Sequence, residues 1–171
     1  SGKTTVLRDA VRQLSSDKYF YKVALVDERQ EIASVNSGIP QNDIGVNCDI
    51  LDGYPKKEAM MIALKTMSPD IIALDEVGEE SEIEAIRLAV NSGVRFIVTV
   101  HAADYNELLH RPQIKSLIET YSFSKVVMLK KEPVGEVAQI HDTKELRDEI
   151  IRCSHNLDIF DPAELKSVVS A

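Results

Sequence analysis

The 171 residues include no tryptophan, and aromatic side chains make up only 5% of them. That argues against a base-stacking platform of the kind that grips single-stranded nucleic acid. A surplus of basic charge is also lacking. There are 28 Asp and Glu against 20 Lys and Arg, a formal net charge of -8, so the chain as a whole carries no basic nucleic-acid footprint. Cysteine is scarce. Cys48 and Cys153 lie far apart and read as two reduced thiols, and no CxxC or Cys/His cluster suggests zinc. No apolar run is long enough to cross a membrane, and no signal peptide is visible, although the sequence opens inside a motif. Internal repeats and low-complexity segments are absent. What is there is ordinary for a globular domain: 44% hydrophobic and 28% charged residues, enough for one core.

Periodicity organises the chain. Residues 4–14 place Val6, Leu7, Ala10, Val11 and Leu14 at helical spacing. Residues 22–27 form a β-branched run ending in an acid, the pattern of a buried strand. Residues 36–54 are rich in Gly, Asn, Asp and Pro and predict a long loop with one short strand between Val46 and Leu51. A helix is predicted over 55–66, with Pro55 at its first position. Ser68-Pro69-Asp70 ends it, and Ile71 to Leu74 is an apolar strand running into Asp75 and Glu76. Residues 79–91 are helical, with Ile83, Ile86, Leu88, Ala89 and Val90 on or near one face, and Ser92-Gly93 stops them. Val94 to Val100 is another buried strand, ending at His101. Short helices follow at 104–109 and 113–120. A hairpin pairs Val126–Leu129 with Glu136–Ile140 around Pro133 and Gly135. Residues 143–153 and 162–169 are helical. Apolar strands alternating with helices predict a parallel sheet covered on both faces.

The first five residues, Ser1-Gly2-Lys3-Thr4-Thr5, lead straight into a helix. They match the end of the phosphate-binding loop pattern G-x-x-x-x-G-K-[ST]. Helix N-terminal amides and the helix dipole attract phosphate. Gly2 lets the backbone approach, Lys3 can neutralise phosphate charge, and the Thr4 hydroxyl can join a Mg²⁺ shell. Alone, Ser1-Gly2-Lys3-Thr4 is equally an ordinary helix start with an exposed lysine. The strand Ile71–Leu74 followed by Asp75-Glu76 shifts the balance, because it has the form of a Walker B element. Asp75 would hold Mg²⁺ and Glu76 would act as general base toward water. The competing reading is two acids placed at the start of the next helix. Together the two motifs imply an ATP- and Mg²⁺-dependent ATPase.

Two further strand ends carry polar residues. Thr99 and His101 lie at the polar end of the strand after Walker B, where either could sense a γ-phosphate. Asp27-Glu28-Arg29-Gln30-Glu31 follows the strand Val23–Val26. It is either a solvated charge cluster or a set of extra carboxylates near metal and water, with Asp27 as a metal ligand, Glu28 and Glu31 as catalytic acids, and Arg29 serving a neighbouring subunit.

The segments SGKTT (1–5), VDERQEIA (26–33), GIPQNDIGVNCDILDGYPKKEAMM (38–61), MSPDIIALDEVG (67–78), GVRFIVTVHA (93–102) and RP (111–112) occur together in register. In this combination the chain resembles the stage III sporulation AA family, a branch of the secretion-type ATPases related to type II and type IV secretion and pilus motors. The likeness runs to about residue 140. It implies a RecA-like α/β P-loop core at 1–140, a C-terminal helical extension at 141–171, and a hexameric ring. It also implies an acidic box, matched by Asp27, Glu28 and Glu31, and a histidine box, matched by Thr99 and His101. The first box reads Asp-Glu where pilus motors tend to have Glu-Asp, which leaves the base open between Glu76 and an acid of 27–31. The biology implied is a mother-cell cytoplasmic motor, peripheral to a membrane-bound complex that links mother cell and forespore, with no nucleic-acid partner and no insertion into the membrane.

The core strand that precedes the phosphate loop in a P-loop fold does not occur in these residues, so its neighbours are expected to lack a backbone partner. Arg29, Arg87, Arg95 and Arg111 are candidates to act in trans. Three other functions compete: a nucleotide-responsive scaffold with negligible hydrolysis, a plastid or cyanobacterial type of ATPase acting on nucleic acid, and a small-molecule kinase. The scaffold has no need of Glu76, the acidic balance opposes the second, and no acceptor pocket or lid signal supports the third.

Overall fold

A computed structural model describes residues 2–157. Helix α1 (Lys3–Ser15) is followed by β1 (Val23–Asp27), a minimal hairpin of β2 (Val35–Asn36) and β3 (Ile39–Pro40), and β4 (Cys48–Asp52). Then come α2 (Lys56–Ile62), β5 (Ile71–Leu74), α3 (Glu80–Val90), β6 (Arg95–Val98), α4 (Tyr105–His110) and α5 (Pro112–Glu119). The described chain closes with β7 (Lys125–Leu129), β8 (Val137–Asp142) and α6 (Thr143–Leu157).

The main sheet has the order β4-β1-β5-β6, and every neighbouring pair is parallel. Its register aligns Leu25 with Ile50 on one side and Ala73 on the other, and Ala73 with Ile97. Successive side chains of a strand point to opposite faces. Val23 and Leu25 of β1 and Ile71 and Ala73 of β5 therefore share one cluster with Leu7 and Val11 of α1. Ala24, Val26, Ile72 and Leu74 share the other with Met60 of α2 and Ile83, Ile86 and Ala89 of α3. Fully burying each of the larger aliphatic side chains is worth roughly 1.5–3 kcal/mol. These two clusters on opposite faces are what hold α1 against one face and α2 and α3 against the other.

Several boundaries differ from the sequence reading. The helix expected over 55–66 starts at Lys56 with Pro55 as its cap, and gives way at Ala63–Met67 to a wider π turn. Ser68 ends that turn in the left-handed region, at φ 48°. The expected strand over Val94–Val100 is only Arg95–Val98, and Arg95 is exposed. It pairs with β5 alone, because β7 and β8 form a separate antiparallel sheet, so the residues after it have a backbone neighbour on one side only. Leu88 turns to solvent while Ile83, Ile86 and Ala89 are buried. The helix expected over 162–169 lies outside the described residues. Leu146 and Ile150 of α6 pack with Leu108, Leu109, Ile114 and Ile118 in a third cluster.

One glycine in the long loop is set by close approach. Gly45 has φ +81°, and a Cβ there would come within 2.1 Å of Ser15 Oγ and 2.7 Å of the Arg12 carbonyl oxygen. Ser15 is itself fully buried, with its hydroxyl 2.7 Å from the Ile44 carbonyl. Gly45→Ala combines a left-handed penalty with overpacking, and is expected to cost about 3 kcal/mol. Denaturant unfolding measures it. A loss under about 1 kcal/mol would mean the loop can back away from α1.

Candidate functional site

The carboxyl ends of β1, β5 and β6 converge on the start of α1. Gly2 caps α1 in the left-handed region, with φ 70° and no side-chain cap. A Cβ on Gly2 would meet Val134 Cγ1 and Gly135 N at 2.9 Å, so the β7–β8 turn lies directly against it. Lys3 and Thr4 occupy the first turn, and Thr5 is exposed. Ser1 lies outside the described residues.

Thr4 Oγ1 donates to Asp75 Oδ2 at 3.1 Å, across 71 residues of sequence. The other Asp75 oxygen accepts from the Thr99 hydroxyl. Thr99 Oγ1 in turn accepts from the Glu76 amide at 2.8 Å. The ladder continues past the formal strand ends, with Thr99 N on the Leu74 carbonyl at 3.3 Å and Val77 N on the Thr99 carbonyl at 2.9 Å. Thr99 thus orients Asp75 and fixes the backbone of Glu76. A hydroxyl and a carboxylate at this separation are hard oxygen donors that suit Mg²⁺, an ion that keeps several waters and takes few protein ligands. Among the described residues there is no group of three or more His, Cys, Asp or Glu side chains that could hold a metal unaided. The Thr4 hydroxyl and the Asp75 carboxylate would thus supply only part of an ion's coordination.

Glu76 has a φ of 50°, a left-handed conformation that is uncommon for a residue with a side chain. This turn sends its carboxylate to Arg29, whose Nη1 lies 2.5 Å from Oε2. Both side chains are largely exposed, so the pair adds only about 0–1 kcal/mol.

The 27–31 box divides. Asp27 is 2% exposed, and its carboxylate is engaged by the loop that follows. Oδ1 accepts from Glu31 N at 3.0 Å and Ile32 N at 3.2 Å, and Oδ2 accepts from Ile32 N at 3.1 Å and Ala33 N at 2.8 Å. Glu31 is exposed, with its carbonyl accepting from Arg8 Nη2 at 3.1 Å. Glu28 faces Lys56, at 3.3 Å. His101 is exposed, and its carbonyl accepts from the Arg111 guanidinium. Of the four arginines, Arg87 pairs with Glu84 and Arg95 sits over the Tyr21 ring, while Arg29 alone touches Glu76.

Sequence reasoning missed Lys56 and Glu82. Lys56 Nζ lies 3.3 Å from Glu28 Oε2 and 3.2 Å from Glu82 Oε1, and donates to the Glu76 carbonyl at 3.0 Å. Glu82 is the third residue of α3 and completes a capping box with Glu79. A signal for Lys56 did exist. A lysine in the first turn of a helix opposes the helix dipole, so a carboxylate partner is called for. Beside this cluster an open cleft of about 410 Å³ is bounded by Glu28, Arg29, Lys56, Lys57 and Glu76.

The fold recurs in solved structures of low sequence identity. The pilus retraction motor PilT, solved with bound ADP, superposes with a TM-score of 0.60 at 13% identity, over 92% of this chain and 50% of that one. The ATPase DotB of Yersinia pseudotuberculosis superposes with a TM-score of 0.57 at 16% identity, over 91% of this chain and 44% of that one. At such identities the likeness concerns the fold, a RecA-like α/β core with a parallel sheet flanked by helices. Stage III sporulation protein AA of Bacillus subtilis (strain 168) is 38% identical over 146 residues, covering 83% of this chain and 48% of that protein. The chain therefore spans about half the length of this relative. The model of the family described as sporulation stage III, protein AA, matches residues 1–147, and the chain belongs to that family.

Proposed function

We propose that this chain is the nucleotide-binding core of an ATP-hydrolysing motor subunit that works in sporulation. The observation that supports it best is the Thr4–Asp75 contact. It joins the helix start that suits phosphate to the strand end that suits Mg²⁺, with Glu76 next in the chain. In this reading the Gly2–Thr5 amides and Lys3 bind the β- and γ-phosphates, and Ser1 belongs to the same loop. Thr4 and Asp75 hold Mg²⁺, which when bound neutralises charge on the transferring phosphoryl group. Thr99 orients Asp75, and Glu76 takes a proton from the attacking water. His101 stands at the end of the adjacent strand, where a γ-phosphate would be sensed.

The quaternary reading is a hexameric ring in which an arginine crosses to the neighbouring subunit's nucleotide. Arg29 is the candidate already at the site, and its release from Glu76 would free the base. Among the described residues no helix is long and apolar enough to cross a membrane. The ring would act from the mother-cell cytoplasm against a membrane-bound partner complex.

The test is ATP hydrolysis by the full-length protein beside its Lys3→Ala variant. Turnover is expected in the parent and should drop by at least about 100-fold in the variant. Binding without turnover in the parent would instead support a nucleotide-responsive scaffold in which Arg29 keeps Glu76 occupied. Turnover indifferent to Lys3 would sink the phosphate-site assignment.

A further inference from the structure

Lys56 is only 9% exposed, an uncommon place for a lysine ammonium. Burial of that charge is tolerated because Nζ donates to one carbonyl and lies within ion-pair distance of two carboxylates. These come from three separate elements: Glu28 after β1, the Glu76 carbonyl after β5, and Glu82 in α3. Glu82 is 6% exposed, and its second oxygen accepts from Gly78 N at 2.9 Å and Glu79 N at 3.0 Å. The segment 76–79 is therefore held from both ends. Thr99 fixes the Glu76 amide, Lys56 fixes the Glu76 carbonyl, and Glu82 fixes the next two free amides. Between these anchors Glu76 adopts its left-handed φ of 50°. Such a conformation persists only where the surroundings over-determine it.

We infer that Lys56 is a positioning residue for the hydrolytic reaction, clamping the Glu76 backbone so that its carboxylate is presented at the site, and holding Glu28 beside it. The inference rests on the ATPase reading above. Lys56 does not touch the phosphate helix, so it acts on the geometry of the base and not on nucleotide affinity. It also couples Glu76 to Glu28, one of the acids of 27–31 among which the sequence leaves the base open. Whichever of Glu76 and Glu28 carries the proton, the same ammonium sets its place. An arginine at this position keeps the charge but exchanges a compact ammonium for a planar fork, so it can meet the two carboxylates better than the single carbonyl.

The experiment is steady-state ATP hydrolysis by the full-length protein and three variants: Lys56→Met, Lys56→Arg, and Lys56→Met combined with Glu82→Gln. Lys56→Met is expected to lower kcat by about 10- to 100-fold, with KM for ATP changed by less than about three-fold, because a small misplacement of a reacting group acts on the chemical step. Removing the ammonium strands two carboxylates, so this variant also loses thermal stability. The double variant removes one stranded charge while the Gln carbonyl still caps Gly78 and Glu79. It should recover melting temperature without recovering kcat. Lys56→Arg should recover part of kcat.

Two results would overturn the inference while leaving the ATPase reading intact. One is a Lys56→Met kcat within about two-fold of the parent. The other is a double variant whose kcat returns together with its melting temperature, which would make Lys56 a purely structural residue. A parent that hydrolyses nothing removes both readings, and the parent's own turnover identifies that case before any Lys56 variant is compared.

Discussion

Glu76→Gln is expected to bind nucleotide as the parent does and to lose about 100- to 10,000-fold in turnover, the usual share of a positioned general base. The substitution preserves length and shape and removes only the capacity to accept a proton. Its structural consequences should be small. The one side-chain partner of Glu76 given by the structure is the exposed Arg29, and such a pair contributes about 0–1 kcal/mol. The interactions that shape the turn are backbone ones, to Thr99 and Lys56, and they survive. A loss of turnover with unchanged melting temperature and unchanged binding of ATP would assign the base. If the variant turned over at the parent rate, the base would have to be sought among the acids of 27–31. The geometry ranks these. Glu28 faces the same cleft, Glu31 is exposed, and both oxygens of Asp27 already serve backbone amides.

Asp27→Asn is the second large effect, and it separates two roles for one residue. The sequence reading placed Asp27 among the metal ligands, whereas the structure surrounds its carboxylate with the amides of Glu31, Ile32 and Ala33. Asparagine retains one acceptor oxygen and presents an NH₂ where the second stood. Two donors then face each other in a buried site. Hydrogen bonds to a charged group are worth about 1.5–3 kcal/mol each, and an orphaned buried donor costs about 1–3 kcal/mol. A destabilisation of about 3–4 kcal/mol is therefore expected, read from denaturant unfolding, with the Mg²⁺ concentration for half-maximal turnover unchanged in the folded fraction. The opposite outcome, parent stability with a raised Mg²⁺ concentration for half-maximal turnover, would return Asp27 to the metal site. The loop of residues 28–33 is the segment at stake, since Ile32 and Ala33 lie in the core beneath α1.

How far the site was legible can be followed residue by residue. Apolar runs at Val23–Val26 and Ile71–Leu74 are buried strands because a parallel sheet covered on both faces leaves no room for alternation. Each is followed by acids, and a parallel sheet gathers all its strand ends on one edge. Asp27, Asp75, Glu76 and Thr99 are therefore legible from the sequence as residues of one sheet edge. Edges were harder. The pattern of Val94–Val100 matches a buried strand, yet only Arg95–Val98 pairs, since a ladder requires a partner and periodicity does not reveal whether one is present. The π turn at Ala63–Met67 left no mark, being a choice among nearly equal helical hydrogen-bond patterns.

The sequence by itself determined the alternation of strands and helices, the helix that begins at the third residue and the acids at the strand ends, because those follow from local spacing and side-chain chemistry. Only the tertiary structure decided which of these side chains lie together. It turned Asp27 inward onto amides four to six residues ahead. It turned Glu76 outward through a left-handed φ, and brought Lys56 across 20 residues to the Glu76 carbonyl. The physical reason is that a side chain leaving a strand end takes its direction from one backbone dihedral and from the partners that offset its desolvation, and both are set by residues distant in the chain.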